Sequence, residues 1–151
     1  TRSEKMIMPS LPVYDPARLD AVSEDLGMRL VVLYGSHAHG SPPPGPESDL
    51  DLAVLAGTPE PHRQFWTYRD ALAGVFEGAM LDLALLNTAD PLFSYEIMRD
   101  GVLLWGDPDL FFEYRAYAYR DFVDSADLRA LEGALFEKKM AYIREALRGA
   151  A

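Results

Sequence analysis

The 151-residue chain contains no cysteine, which excludes disulfide scaffolds, Cys-based zinc sites and thiol chemistry. It has no apolar run near the ~18 residues of a membrane-crossing helix, and its start lacks a signal-peptide pattern. The simplest compartment on that reading is the cytoplasm. Cations are scarce: 14 Lys+Arg stand against 24 Asp+Glu, a formal net charge of −10. Proteins that grip a nucleic-acid backbone carry a basic patch. None is evident here, so direct nucleic-acid binding is not expected. The scarcity is sharpest between Leu30 and His62, where there is no Lys or Arg at all. Glu47, Asp49, Asp51, Glu60 and all three histidines (His37, His39, His62) fall inside that window. Like charges held together disfavour their own ionisation, so the window needs a chemical explanation.

What remains is the balance of a folded protein, 49% hydrophobic and 25% charged residues. The length suits one domain, and such a chain can bury about two-thirds of its unfolded surface without a staple. Residues 1–14, with Pro9 and Pro12, read as an amino-terminal tail. Residues 15–151 read as a single domain whose last part, from about residue 108, is helical. Asp15-Pro16 is a helix start, and Gly27 ends that helix just after Leu26. Short apolar runs predict strands over residues 30–34, 49–55, 80–86 and 102–105. Helical spacing covers residues 61–76, with Phe65, Tyr68, Leu72 and Val75/Phe76 on one face, and then 91–100, 110–123 and 126–147. Ser125 is the expected cap between the last two. The order predicts an α+β fold with α/β character: a small mixed β-sheet, packed helices and a helical C-terminus.

Three carboxylates interrupt the apolar strands. Asp49 and Asp51 are two residues apart, so on a strand they share a face while Leu50 and Leu52 take the other. No cation is near in sequence to separate them. A hard divalent ion such as Mg²⁺ or Mn²⁺ is the natural partner for such oxygens. Asp82, alone in an apolar run, can complete the group from a neighbouring strand. Acids of this kind, holding metal, stabilise the attacking and leaving oxygens of phosphoryl or nucleotidyl transfer. Gly35-Ser36, directly after a strand, supplies the other half. Glycine permits close backbone approach, and Ser36 with nearby amides can receive phosphate oxygens.

The run Leu33-Tyr34-Gly35-Ser36-His37-Ala38-His39-Gly40, followed by Ser48-Asp49-Leu50-Asp51-Leu52-Ala53-Val54, resembles the signature of the DNA polymerase β-like nucleotidyltransferases. Within that superfamily the chain is most similar to the minimal nucleotidyltransferases, antitoxin partners of HEPN-domain toxins. Leu81-Asp82-Leu83-Ala84-Leu85-Leu86-Asn87 resembles the third-carboxylate strand of the family, and residues 97–104 its next helix–strand unit. The resemblance implies a nucleotidyltransferase fold and the transfer of AMP from ATP to a hydroxyl, with pyrophosphate leaving. The implied acceptor is a tyrosine of a cognate HEPN toxin. It further implies that Gly35 and Ser36 hold the nucleotide phosphates and that Asp49, Asp51 and Asp82 bind Mg²⁺ (or Mn²⁺). Asp82 would also help deprotonate the attacking hydroxyl. The sequence departs from the family at His39, where Arg is usual, and in a long Pro-rich loop over residues 41–47. Two alternatives therefore stand beside that reading: adenylylation of a small molecule such as an aminoglycoside, and an antitoxin acting by binding alone.

Other features carry plainer expectations. His37 and His39 suit a surface loop as well as a metal or phosphate site. Phe111, Phe112, Tyr114, Tyr117, Tyr119 and Phe122 are expected mainly in the core, although their excess over one helical face suggests a docking surface. Trp66 and Trp105 are expected in the core. Lys138, Lys139, Arg144 and Arg148 suit a solvated helix face. The net charge divides unevenly, −8 up to Gly106 and −2 from Asp107 onward. An acidic lobe of that kind should take up a triphosphate only together with a divalent ion.

Overall fold

A computed structural model describes residues 11–39, 49–77 and 79–149. Most of the expected tail and the Pro-rich loop lie outside the described residues. Helix α1 (Pro16–Asp25) starts as anticipated, with the Asp15 side chain accepting from the Ala17 amide at 3.0 Å and Pro16 in the first turn. Strand β1 (Met28–Tyr34) follows after Gly27, two residues earlier than the apolar run suggested. A single helical turn, α2 (Ser36–His39), then occupies what reads as loop. Strand β2 (Leu50–Ala56) leads to a 3-10 turn (Pro61–Gln64) and helix α3 (Phe65–Val75). The sequence suggested one helix from residue 61, but Pro61 opens a tighter turn before α3 takes over. Strand β3 (Leu81–Leu85), helix α4 (Pro91–Asp100), strand β4 (Val102–Gly106), helix α5 (Pro108–Asp124) and helix α6 (Ala126–Gly149) complete the order.

The four strands form one mixed sheet in the order β3-β2-β1-β4. β1 is antiparallel to both β2 and β4, whereas β2 and β3 run parallel. A parallel pair requires a crossover, which the 3-10 turn and α3 supply. Strand alternation sends Val31, Leu33, Leu50, Leu52, Val54, Leu81, Leu83 and Leu85 to one face, against Leu19 of α1 and Tyr68, Leu72 and Val75 of α3. Leu30, Val32, Ala53, Leu55 and Leu86 take the other face, against Ile97 and Met98 of α4 and Phe111 and Ala118 of α5. The centre of the sheet is fully excluded from water, since Leu30, Val31, Val32 and Leu33 are each 0% exposed.

Side chains lock the ends of this sandwich. The Asn87 amide donates to the Ala56 carbonyl at 2.9 Å, and its oxygen accepts from the Ala56 amide at 2.8 Å. One side chain thus imitates a strand neighbour at the end of β2. Arg115 donates to the carbonyls of Met98 and Gly101 and lies 4.6 Å over the Phe111 ring, tying α5 to the end of α4. A Cβ on Gly101 would meet Val32 and the Ile97 carbonyl, so only glycine lets α4 turn into β4 this close to β1.

The aromatic expectations need correction. Of the α5 aromatics only Phe111 is buried; Phe112, Tyr117 and Tyr119 are more than half exposed, which fits the docking-surface expectation rather than the core one. Trp66 is 68% exposed, because it starts α3 on the side away from the sheet. Trp105 is partly buried, packs at the margin of the core and donates its indole N–H to Asp20 at 2.8 Å. Among the described residues no helix is long and apolar enough to cross a membrane.

Candidate active site

The end of β1 meets the beginnings of β2 and β3, and all five anticipated site residues sit at or beside that junction. Tyr34 pairs with Asp51 across the antiparallel ladder, and Asp51 pairs with Asp82 across the parallel one. Alternation places these three side chains with Ala53 and Ala84, on the face that α4 and α5 cover. A row of tyrosine, aspartate, aspartate therefore crosses three strands where packing from the helices gives out. Leu50 and Leu52, on the opposite face, are buried and anchor β2 beneath the acids. Asp49 is exposed just ahead of β2, Asp51 is half-buried, and Asp82 is exposed on the edge strand.

Gly35 forms the turn between β1 and α2 with φ +73°, a conformation L side chains rarely adopt. A Cβ at this position would also run into the Asp51 carboxylate. Two independent constraints, backbone conformation and contact, therefore require glycine where the carboxylate leans over the chain. Ser36, half-buried, is the first residue of α2, and the Ala38 amide donates back to the Gly35 carbonyl at 3.1 Å. His37 lies in the same turn, close enough for its charge to act on Asp51.

The electrostatics follow from that crowding. Burial, and then the like charges of Asp82 and Asp49, push the Asp51 carboxyl above its ordinary range, while His37 opposes the shift. Burial, followed by Asp51 and Asp82, pushes the Tyr34 phenol up to about 12. Tyr34 therefore stays neutral beside the acids, its ring edge-on to Phe93 of α4 at 5.9 Å. The donors are hard carboxylate oxygens whose mutual repulsion a divalent cation would relieve, so their chemistry fits Mg²⁺ or Mn²⁺. Among the described residues no three His, Asp or Glu side chains are gathered closely enough to enclose an ion by themselves.

Not every candidate converges. His62 is exposed on the 3-10 turn, and the side chain of His39 lies outside the described residues. Tyr34 was missed as a member of the row, although its place just before Gly35 and in register with Asp51 could have flagged it.

The fold and this junction define a class, which comparison with known proteins confirms. The family model described as polymerase beta nucleotidyltransferase matches residues 20–109, and the chain belongs to that family. No curated protein matches it in sequence. Among solved structures, a chain from a toxin–antitoxin crystal structure with AMP-PNP superposes with a TM-score of 0.64 at 22% identity, covering 83% of this chain and 98% of that one. A chain from the MntA–HepT toxin–antitoxin structure gives 0.59 at 20% identity, covering 83% and 96%. A chain from the complex of tri-AMPylated Shewanella oneidensis HEPN toxin with MNT antitoxin gives 0.59 at 20% identity, covering 83% and 95%. At such identities the likeness is one of fold.

Proposed function

We propose that this nucleotidyltransferase moves AMP from ATP to a tyrosine hydroxyl of a HEPN-type toxin and thereby acts as its antitoxin. The observation that carries the proposal is the Asp51–Asp82 pair, aligned across two strands and set against a turn whose positive φ and crowding strongly favour glycine. The polymerase β family membership and the fold shared with chains from toxin–antitoxin complexes support it.

In this reading Gly35 and Ser36 receive the triphosphate at the turn, where the missing side chain lets phosphate oxygens approach the backbone. Asp49, Asp51 and Asp82 would hold Mg²⁺ or Mn²⁺. Such an ion, when bound, supplies charge neutralisation for the phosphates and for the oxygens that attack and leave. The acceptor hydroxyl attacks the α-phosphorus in line, the bond to the β-phosphate oxygen breaks, and pyrophosphate departs. Asp82, exposed at the edge, accepts the hydroxyl proton. Tyr34, neutral and fixed against Phe93, closes the row on the side of β1 and adds no further negative charge.

Labelled ATP tests the proposal. Label should pass to a co-expressed toxin, and Asp51→Ala or Asp82→Ala should lower transfer about 100-fold or more, the scale of losing a transition-state charge partner. Excess EDTA should abolish both transfer and ATP binding. One observation favours a second reading, binding without catalysis: the window between Leu30 and His62 offers no Lys or Arg to the triphosphate. Full neutralisation of the toxin by Asp51→Ala would establish that reading. Label on an aminoglycoside and never on protein would establish small-molecule transfer instead.

A further inference from the structure

Helix α6 is 24 residues long and not one of them is buried. Its sequence is nevertheless that of an amphipathic helix. Leu128, Leu131, Leu135 and Tyr142 recur at spacings of three, four and seven along one stripe, and Phe136 and Leu147 lie on a second row about a third of a turn away. These six side chains are between 55% and 76% exposed. Helices in water draw most of their stability from packing an apolar face, so a stripe left open along a whole helix marks a contact surface. The charges on α6 show what fits it. Its first half carries Asp127, Glu132 and Glu137 against Arg129, and its second half carries Lys138, Lys139, Arg144 and Arg148 against Glu145. Arg129 is already engaged within the chain, lying 4.0 Å over the Phe122 ring and donating to the Ser125 hydroxyl. The other charges of α6 form no ion pair among the described residues.

We infer that α6 pairs with α6 of a second copy of this chain, antiparallel and about a two-fold axis. In that direction the acidic half of each helix faces the basic half of its mate. A parallel pair would set Lys138 and Lys139 beside their own counterparts and the acids beside acids, a repulsive arrangement. A two-fold contact is isologous, so one self-complementary helix suffices to build it. The length is adequate: 24 residues span about 36 Å. Two copies bring eight large apolar side chains to that seam, with Phe136 and Leu147 of each at its margin.

Sedimentation of the full chain over a concentration series tests the inference, with circular dichroism and nucleotide transfer verifying that each variant is folded. The expected result is a dimer that Leu135→Glu dissociates. Reversal of the basic half in the double variant Lys138→Glu/Lys139→Glu should weaken association about tenfold or more. Adding Glu132→Lys and Glu137→Lys to that variant should restore it, because the two halves have merely exchanged sign. A full chain that stays monomeric overturns the inference, even if a different protein then binds α6. A dimer indifferent to Leu135→Glu, or a charge exchange that fails to restore pairing, overturns it equally.

Discussion

Leu33 and Leu135 are the same side chain in opposite circumstances. Leu33 is 0% exposed at the centre of β1, whereas Leu135 is 57% exposed on α6. Both belong to regular apolar patterns, and the patterns alone do not distinguish them. The sheet closes its apolar surface within the chain, using α1 and α3 on one face and α4 and α5 on the other. Its acids, Asp51 and Asp82, line up with Tyr34 at one end of the sheet. In α6 the apolar surface is left open and the charges are sorted by position along the helix. An acid inside a closed sheet is costly and so signals chemistry; an apolar stripe on an open helix is costly and so signals a partner.

The largest expected effect removes the closed side of this comparison. Leu33→Ala should lower unfolding stability by about 2–5 kcal/mol, the range for truncating a fully buried leucine that neighbours cannot replace. Urea denaturation followed by circular dichroism measures it. A loss under about 1 kcal/mol would mean that the two faces of the sheet are not packed as described.

Asn87→Ala should come next. It removes both hydrogen bonds to Ala56 and leaves that residue's amide and carbonyl without their partners. The expected loss is about 1–3 kcal/mol, because stranded backbone groups lose their partners. Hydrogen exchange should show the Ala56 amide losing protection while the amides of Val31 and Val32 keep theirs. Asn87 closes the apolar run that starts at Leu81, yet its clamp is not legible in that run. The donor and the strand it closes are 31 residues apart.

That contrast fits the rest of the molecule. The strands were legible because an apolar run of four to seven residues between turn signals has few other uses, and Asp15-Pro16 announced α1 through local capping chemistry. Asp49 and Asp51 were legible as a pair because alternation puts them on one face without reference to the rest of the fold. The alignment of Asp82 with Asp51 depends on the parallel register, which no local pattern encodes. Trp66 and the α5 aromatics were misplaced for a related reason: an aromatic at helical spacing shows which residues share a face, and only tertiary packing decides whether that face is covered. Turn α2 escaped notice because four residues cannot display a helical period.

A smaller effect, of opposite sign, is expected at the site. The folded state raises the Asp51 carboxyl above its ordinary value of 3.8, so the folded form holds that proton more tightly than the unfolded chain does. Its contribution favours folding below that value and is lost as pH rises through the carboxylate range, leaving a repelled charge at neutral pH. In metal-free buffer at pH 7, Asp51→Asn should therefore stabilise the fold, by about 1 kcal/mol or less because the group is half-exposed and screened. The gain should shrink as pH falls through the raised carboxylate range towards 3.8 and be gone below it, while nucleotidyl transfer is lost throughout. A variant less stable than the parent at pH 7 would show that the Asp51 carboxylate is already neutralised by the chain's own groups.

The smallest effect completes the comparison on its open side. At a concentration where the chain is monomeric, Leu135→Ala should change unfolding stability by no more than about 0.5 kcal/mol, as for a surface substitution. The same leucine-to-alanine change would then cost several kcal/mol in β1 and almost nothing in α6, although the two positions are equally apolar. At concentrations that favour association the alanine variant should fall behind the parent, because a contact made only in the assembled state stabilises by mass action. A melting temperature that rises with concentration for the parent and stays flat for Leu135→Ala would locate the missing cover of α6 in a second molecule.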